Sequence, residues 1–468
     1  MTSETGQTST PGAAAPRIVS SEYLWITIGA CALVFLGAFE SLAVTTVMPT
    51  VSADLGGERL YALAFAGPLA TGVIGMVVAG NWADRRGPVA PLYTAVAMFV
   101  VGLLIAGLAQ NMEILVAGRF AQGLGSGGLM VALYVVVARV YPQELHPAIF
   151  AGFAAAWVVP SLIGPTVAGA VTELWSWHWV FLGVVILVLV ALLMVIPALR
   201  GLSNEGDATT PWAFARLGWS VLAAVAVLAL NLVGDVPGVG PVLALIAVVV
   251  ALVAVRPLVP RGTLRARRGL PSVILVRGVA AAGFFGAQVY LPYLLTDRYA
   301  LSPTLAGLSL TGGALAWSAA ATVQGRMGVR LSSVAAVRLG TILVLAGILL
   351  TVATAGCGWD AVMVAVAWAV AGVGMGLMSP RTSALTLAMS TPEDQGFNSG
   401  AMTVADSFGS ALALAVTGSL FTALAAGDPF LGVFALAAVI ALAAAVLAPR
   451  IRAETPDHSD AVSSSAAL

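Results

Sequence analysis

The chain has 468 residues, of which 60% are hydrophobic and 9% charged, with no formal net charge and a mean hydropathy of +0.99. Soluble domains run at about 45–50% apolar and about 25% charged, so the composition excludes a soluble protein and points to a polytopic membrane protein. Balanced charge excludes a nucleic-acid partner; Cys31 and Cys357 have no metal or redox spacing, and His146, His178 and His458 are scattered, so neither a cofactor nor an enzyme is expected.

All 21 basic residues are arginine. With the heavy use of Ala, Val and Gly, this suggests a high-GC bacterial genome and hence a bacterial cytoplasmic membrane. Residues 1–23 read as a polar tail. A signal peptide would place a basic segment and a short apolar core there. Instead the first apolar run begins near Leu24 and is long enough to span, so it is expected to stay as an uncleaved helix.

A spanning helix needs about 20 mostly apolar residues. Fourteen stretches qualify: 24–49, 60–82, 89–110, 112–138, 147–172, 178–199, 215–234, 238–257, 271–295, 303–325, 333–355, 360–384, 396–424 and 429–449. Spans seven and eight are the weakest members. With both termini cytoplasmic, most arginines fall inside, including Arg17, Arg85, Arg86, Arg139, Arg200, Arg277, Arg330, Arg338 and Arg381. Only Arg59 and Arg298 fall outside, and Arg119 lies within a helix. This bias fits the positive-inside rule.

In chain order, the first span carries an acid, Glu40, among apolar residues. Desolvation favours the neutral carboxyl, which brings such a group toward the range a proton carrier needs. A satisfied structural hydrogen bond at a helix contact is the alternative.

The second and third spans are joined by Gly80-Asn81-Trp82-Ala83-Asp84-Arg85-Arg86-Gly87-Pro88. The spacing Gly-x-x-Ala-Asp-Arg-x-Gly resembles the signature loop of the major facilitator superfamily. The resemblance implies a secondary transporter of two six-helix halves, each with nested inverted repeats. It also implies a cytoplasmic latch, in which Asp84, with Gly80, Arg85 and Gly87, engages a neighbouring helix end and a cation such as Arg139. Pro88 and Val89 stand where the family usually has basic residues. Ordinary interfacial anchoring by arginine is the alternative.

In span four, Gly118-Arg119-Phe120-Ala121-Gln122-Gly123 resembles the family's second motif. Arg119, Gln122 and Ser126 share one helical face by their i, i+3, i+7 spacing. A buried arginine needs an acceptor or a wet cavity; a snorkelling interfacial arginine beside Glu113 is the alternative. In span five, Pro160, Gly164, Pro165 and Gly169 resemble the Gly-Pro motif associated with exporters, with Pro160 and Ala168 replacing two family glycines. Bending proline beside close-packing glycine suits a pivot, or generic small-residue packing.

Trp175, Trp177 and Trp179 near the end of span six read as an aromatic belt. Polar residue Gln288 with Tyr290 and Tyr293 in span nine could touch substrate. Gly372, Gly374 and Gly376 thin span twelve. Span thirteen carries the second acid, Asp406, on a stripe with Ser399, Thr403 and Ser410.

The 6+2+6 pattern resembles the fourteen-spanner drug:proton antiporter branch, in which Glu40 stands where an Asp is typical. The expected fold is an all-α membrane protein with the major facilitator fold, two six-helix bundles plus two inserted helices. Residues 24–200 and 270–450 form the bundles, 201–269 the linker with the extra pair, and 451–468 a cytoplasmic tail. The expected function is proton-coupled export of lipophilic or amphipathic small molecules by alternating access, by a monomer whose coupling ion is the proton. Glu40 and Asp406 are the coupling candidates; Arg119, Gln122, Ser126, Gln288, Tyr290 and Thr403 are candidates for the cavity. Two alternatives stay open: export of one endogenous metabolite or lipid, and proton-coupled uptake.

Overall fold

The computed structural model describes residues 18–20, 23–142, 145–199, 211–233, 239–327, 331–391, 394–425 and 427–452. Most of both tails, the polar linker 200–210, and Arg17, Arg200, Arg330 and His458 lie outside these. The described chain is helical: α1 Leu24–Asp54, α2 Leu63–Arg86, α3 Val89–Gly107, α4 Met112–Val140, α5 His146–Leu174, α6 His178–Leu199, α7 Phe214–Val233 and α8 Gly240–Val255. It continues with α9 Leu270–Gln288, α10 Tyr290–Asp297, α11 Pro303–Met327, α12 Ser333–Cys357, α13 Val362–Ala388, α14 Gln395–Ala423 and α15 Pro429–Leu447.

Among the described residues, twelve of the spans are long and apolar enough to cross a membrane. The other two predicted spans are also helical. In α7 the apolar stretch is the shorter Phe214–Leu230, and α11 is diluted by Ser, Thr and Gly along its length.

The helices pack by the same scheme twice. In the first set α1 lies on α5 and α6, α4 lies on α2 and α3, and α3 lies on α6. In the second set α9 lies on α14 and α15, α13 lies on α11 and α12, and α12 lies on α15. The sets meet along α5 against α11 and α2 against α14. The inserted α7 and α8 pair with each other, and α7 sits against both α2 and α14, at the seam.

Three elements depart from the sequence reading. The second span does not end near residue 82: nothing in Ala83-Asp84-Arg85-Arg86 breaks a helix, so α2 continues to Arg86 and the signature stretch is mostly helical. Gly87, with a φ of 78°, provides the left-handed stop before Pro88. Span nine is two helices, parted at Val289, because Pro292 cannot donate to the carbonyl of Gln288. Arg277 was placed with the interfacial arginines; it lies two turns inside α9 and is paired there.

The tryptophans near α6 divide by role. Trp175 and Trp179 are exposed, as a belt requires, whereas Trp177 is buried and donates through Nε1 to Asp54 at 2.9 Å.

Candidate functional site

Two buried acid–arginine pairs define the interior, one in each helix set. In the first, Arg119 of α4 donates through Nη1 to Glu40 of α1, and the two residues are 4% and 5% exposed. Nη1 also reaches Oε1 of Gln122 at 3.0 Å, while Nε donates to the carbonyl oxygen of Ala64 in α2 at 3.0 Å.

That last acceptor has a local cause. The residue four positions after Ala64 is Pro68, inside α2, which has no N–H to return. The Ala64 carbonyl is therefore released from its own helix and serves the guanidinium of another. One arginine thus joins α1, α2 and α4, with its charge matched by Glu40 and two further hydrogens directed at the neutral oxygens of Gln122 and Ala64. A buried charge needs a counter-charge and hydrogen bonds of this kind to be tolerated. Gln122 Nε2, by contrast, is buried with no described partner, leaving one polar donor at the junction uncommitted.

The structure brings Glu40, Arg119 and Gln122 together and leaves Ser126 apart. Ser126 Oγ turns back on its own helix to the carbonyl of Gly123 at 3.2 Å.

In the second pair, Nε of Arg277 lies 2.9 Å from each carboxylate oxygen of Asp406. Its Nη1 donates to the Ser379 carbonyl at 3.1 Å and the Thr382 hydroxyl at 3.3 Å on α13. The α9 and α14 backbones approach closely just beside the pair: a Cβ on Gly278 would lie 2.8 Å from the Ala405 carbonyl. The pair is more open than the first, with a quarter of the Asp406 side chain exposed. Thr403 donates to Ser399 within α14 at 3.2 Å. A further polar contact between helices joins α11 to α13, where the amide oxygen of Gln324 accepts from Arg381 Nη2 at 2.9 Å.

Around the Gly87 turn, Asn81 Oδ1 accepts from the backbone N–H of Ala213 at 3.2 Å, and the Arg85 guanidinium lies 5.3 Å from the ring centre of Trp212. The signature stretch is thus docked to the residues leading into the inserted α7. Asp84 is exposed and lies within electrostatic reach of Arg139, and Gly80 faces Val131 of α4 at ordinary contact distance.

At the opposite, arginine-poor face the two sets touch directly. The Tyr61 hydroxyl donates to the carbonyl of Val289 at 2.9 Å. Tyr290 is buried there against Phe421 and Tyr61, and Tyr293 packs against Tyr61 with centroids 4.9 Å apart. Gln288 is buried at the end of α9 beside this cluster. In the Gly-Pro motif, a Cβ on Gly169 would lie 2.7 Å from Cα of Thr304 in α11, and one on Gly307 would lie 2.8 Å from the Pro165 carbonyl. The Pro165 and Gly169 end of α5 is therefore pressed onto α11. Gly164 faces Phe39 of α1, and Pro160 is buried a turn earlier.

Sequence reasoning missed Arg277 as the partner of Asp406, the Ala64 carbonyl, Tyr61 and the Gln324–Arg381 contact. Pro68 was the signal for the second of these, since an in-helix proline always releases a carbonyl one turn back.

The Major Facilitator Superfamily model matches residues 30–261 and 273–467. An uncharacterized MFS-type transporter of Schizosaccharomyces pombe is 33% identical over 166 residues, 35% of this chain and 28% of that one. The multidrug efflux pump SdrM of Staphylococcus aureus is 26% identical over 309 residues, 62% of this chain and 67% of that one. A probable multidrug-efflux transporter of Mycobacterium tuberculosis is 32% identical over 191 residues, 41% of this chain and 40% of that one. The chain thus matches under half the length of two of these three relatives. A POT family transporter solved with 5-aminolevulinic acid superposes with a TM-score of 0.66 at 14% identity, covering 91% of this chain and 97% of that one.

Proposed function

The chain belongs to the Major Facilitator Superfamily of transporters, and we propose that it exports lipophilic or amphipathic small molecules in exchange for protons. In this reading all fourteen spans cross a bacterial cytoplasmic membrane, both termini are cytoplasmic, and the arginine-rich face is the cytoplasmic one. The unit is a monomer in which the bundles 24–200 and 270–450 rock about a midplane cavity.

The observation that carries the reading is the three-helix junction at Arg119. A carboxylate held by one guanidinium, buried at a junction where the amide nitrogen of Gln122 is uncommitted, can serve as a two-state element. Protonating Glu40 removes half of the ion pair and leaves Arg119 to seek another acceptor, so proton arrival changes which contacts hold α1 to α4. The Asp406–Arg277 pair gives the second bundle a similar element with more exposure. The two multidrug-efflux relatives support the substrate class. The docked Asp84–Arg85 stretch serves as the cytoplasmic latch, and Pro160, Gly164, Pro165 and Gly169 as the pivot.

The test is substrate efflux from proteoliposomes under an imposed pH gradient, with wild type compared with Glu40→Gln and Asp406→Asn at matched incorporation. Gradient-driven efflux of several cationic dyes that either variant abolishes supports the reading and identifies the coupling acid. Wild-type flux that both variants retain overturns proton coupling at these acids. Flux of one compound class only would make the protein a dedicated exporter.

A further inference from the structure

The segment joining α8 to α9 contains Arg256, Arg261, Arg265, Arg267 and Arg268, and the chain has no Asp or Glu from residue 236 to residue 296. Arginines at a bilayer edge are ordinary; their arrangement here is not that of a loose loop. Two short 3-10 turns, Arg256–Leu258 and Thr263–Arg265, fold the segment. Thr263 donates to the Pro260 carbonyl at 2.7 Å, and Ser272 to the Arg267 carbonyl at 2.6 Å. The segment is also stapled to the end of the second bundle, since Gly269 N–H donates to the Arg450 carbonyl at 3.1 Å and Arg450 Nη1 to Ala266 at 3.4 Å.

This fold shapes an open pocket of ≈ 340 Å³ lined by Arg256, Arg261, Arg265 and Arg267 with Thr263 and Leu264. Gly262, with a φ of 91°, is part of its lining: a Cβ there would lie 2.5 Å from Cδ of Arg267, so the arginine stem crosses directly over the glycine. All four arginines are exposed, and none forms an ion pair with a described residue. Four like charges converging on one cavity repel each other unless an anion joins them. Leu264 is 39% exposed in the lining, and exposed Leu252 and Val253 end α8 just before Arg256. Exposed apolar side chains therefore stand both in the pocket lining and on the last turn of α8 beside it.

We propose that this pocket binds the phosphate headgroup of an anionic phospholipid, with its acyl chain lying along α8. Guanidinium forks match phosphate oxygens in bidentate geometry. The exposed apolar side chains select an anion that carries hydrocarbon over free phosphate. A lipid bound there would fasten the inserted helices to the second bundle through the Arg450 staple.

The experiment uses the detergent-purified full chain, with lipid retention read by native mass spectrometry and melting temperature by intrinsic fluorescence. Phosphatidylglycerol, phosphatidylcholine and inorganic phosphate are added in parallel to wild type, to the triple variant Arg256→Ala/Arg261→Ala/Arg265→Ala, and to Arg338→Ala as an exposed control on the same face. Phosphatidylglycerol is expected to bind and raise the melting temperature of wild type and the control. Its affinity should fall on the order of a hundredfold in the triple variant, at the strength of arginine attraction to anionic lipid. An equal effect of phosphatidylcholine, an equal effect of inorganic phosphate at the same concentration, or undiminished phosphatidylglycerol binding by the folded triple variant would each overturn the proposal. Should the triple variant not fold, Arg265→Ala alone is expected to bind several-fold more weakly, and unchanged binding by it would count against the site.

Discussion

The hydroxyl of Tyr61 donates to the carbonyl oxygen of Val289 at 2.9 Å, across the seam between the two helix sets. The contact falls at the break between α9 and α10, and it inserts a first-bundle ring among Tyr290 and Tyr293 of the second. Together with Gly169 on Thr304, it closes the arginine-poor face.

Tyr61→Phe keeps the rings and removes this bond, a loss of about 1 kcal/mol, or roughly fivefold in the closed-to-open ratio. A cysteine replacing Gln288 should then react several-fold faster with a membrane-impermeant thiol reagent. Tyr61→Ala also removes the ring contacts, each worth about 0.5–1.5 kcal/mol, and should react faster still. Unchanged labelling in Tyr61→Ala would show that the cluster does not hold this face shut.

Arg119→Ala leaves Glu40 buried without its counter-charge, and breaking one side of such a pair costs about 3–5 kcal/mol. The detergent-solubilised variant should melt well below wild type. Glu40→Gln/Arg119→Gln removes both charges and should recover much of the difference. Strict additivity of the single variants in this cycle would show that the two residues are not energetically coupled.

Gly169→Val places methyl groups where the backbone of Thr304 already lies. Overpacking of this kind costs about 1–3 kcal/mol, met here by parting α5 from α11. Disulfide formation between cysteines introduced at Glu173 and Thr304, which touch across this contact, should slow relative to the glycine background. An unaltered crosslinking rate would mean that the helices separate elsewhere.

Asp428 supplies the pH-dependent prediction. Burial alone would raise its pKa, but hydrogen bonds from Arg298 and from the Leu431 N–H, with the Arg298 charge, outweigh it and hold the carboxyl below its ordinary value. A depressed folded pKa contributes stability that is fully present above the ordinary value of about 3.9 and is lost as pH falls through the folded one. The melting temperature of wild type should therefore exceed that of Asp428→Asn by a constant margin from neutrality to about pH 5, and the margin should close on further acidification. A margin that widens in acid would contradict this assignment.

The all-helical membrane fold and the family were legible because apolar run length and the Gly80–Gly87 stretch are local properties of the chain. Glu40 and Arg119 were each conspicuous as charges inside apolar runs. Their pairing was not, since 79 positions separate them and only the packing of α1 on α4 joins them. Arg277 was hidden for the opposite reason: it lies so near the start of its span that the arginine bias accounted for it. The end of α2 was misjudged because three charged residues in four read as loop, although their helix propensity is adequate and only Gly87 stops the turn. Tyr290 and Gln288 were visible as unusual residues, but their place at the aromatic seam depended on the Val289 break.

Both buried ion pairs close within a single bundle: Glu40 with Arg119, and Asp406 with Arg277. Electrically, each pair is then a compact dipole with no net charge. A neutral pair carried along the field moves no net charge, and when it tilts it contributes only the small displacement of its own dipole, so the membrane field does little work on either pair while both partners are charged. Voltage would act only after a proton unbalances one pair, when one elementary charge crossing 100 mV is worth about 2.3 kcal/mol. If the cycle is proton-coupled as proposed, the same pairing that makes these two arginines tolerable would thus expose the pairs to voltage only when one of their acids is protonated.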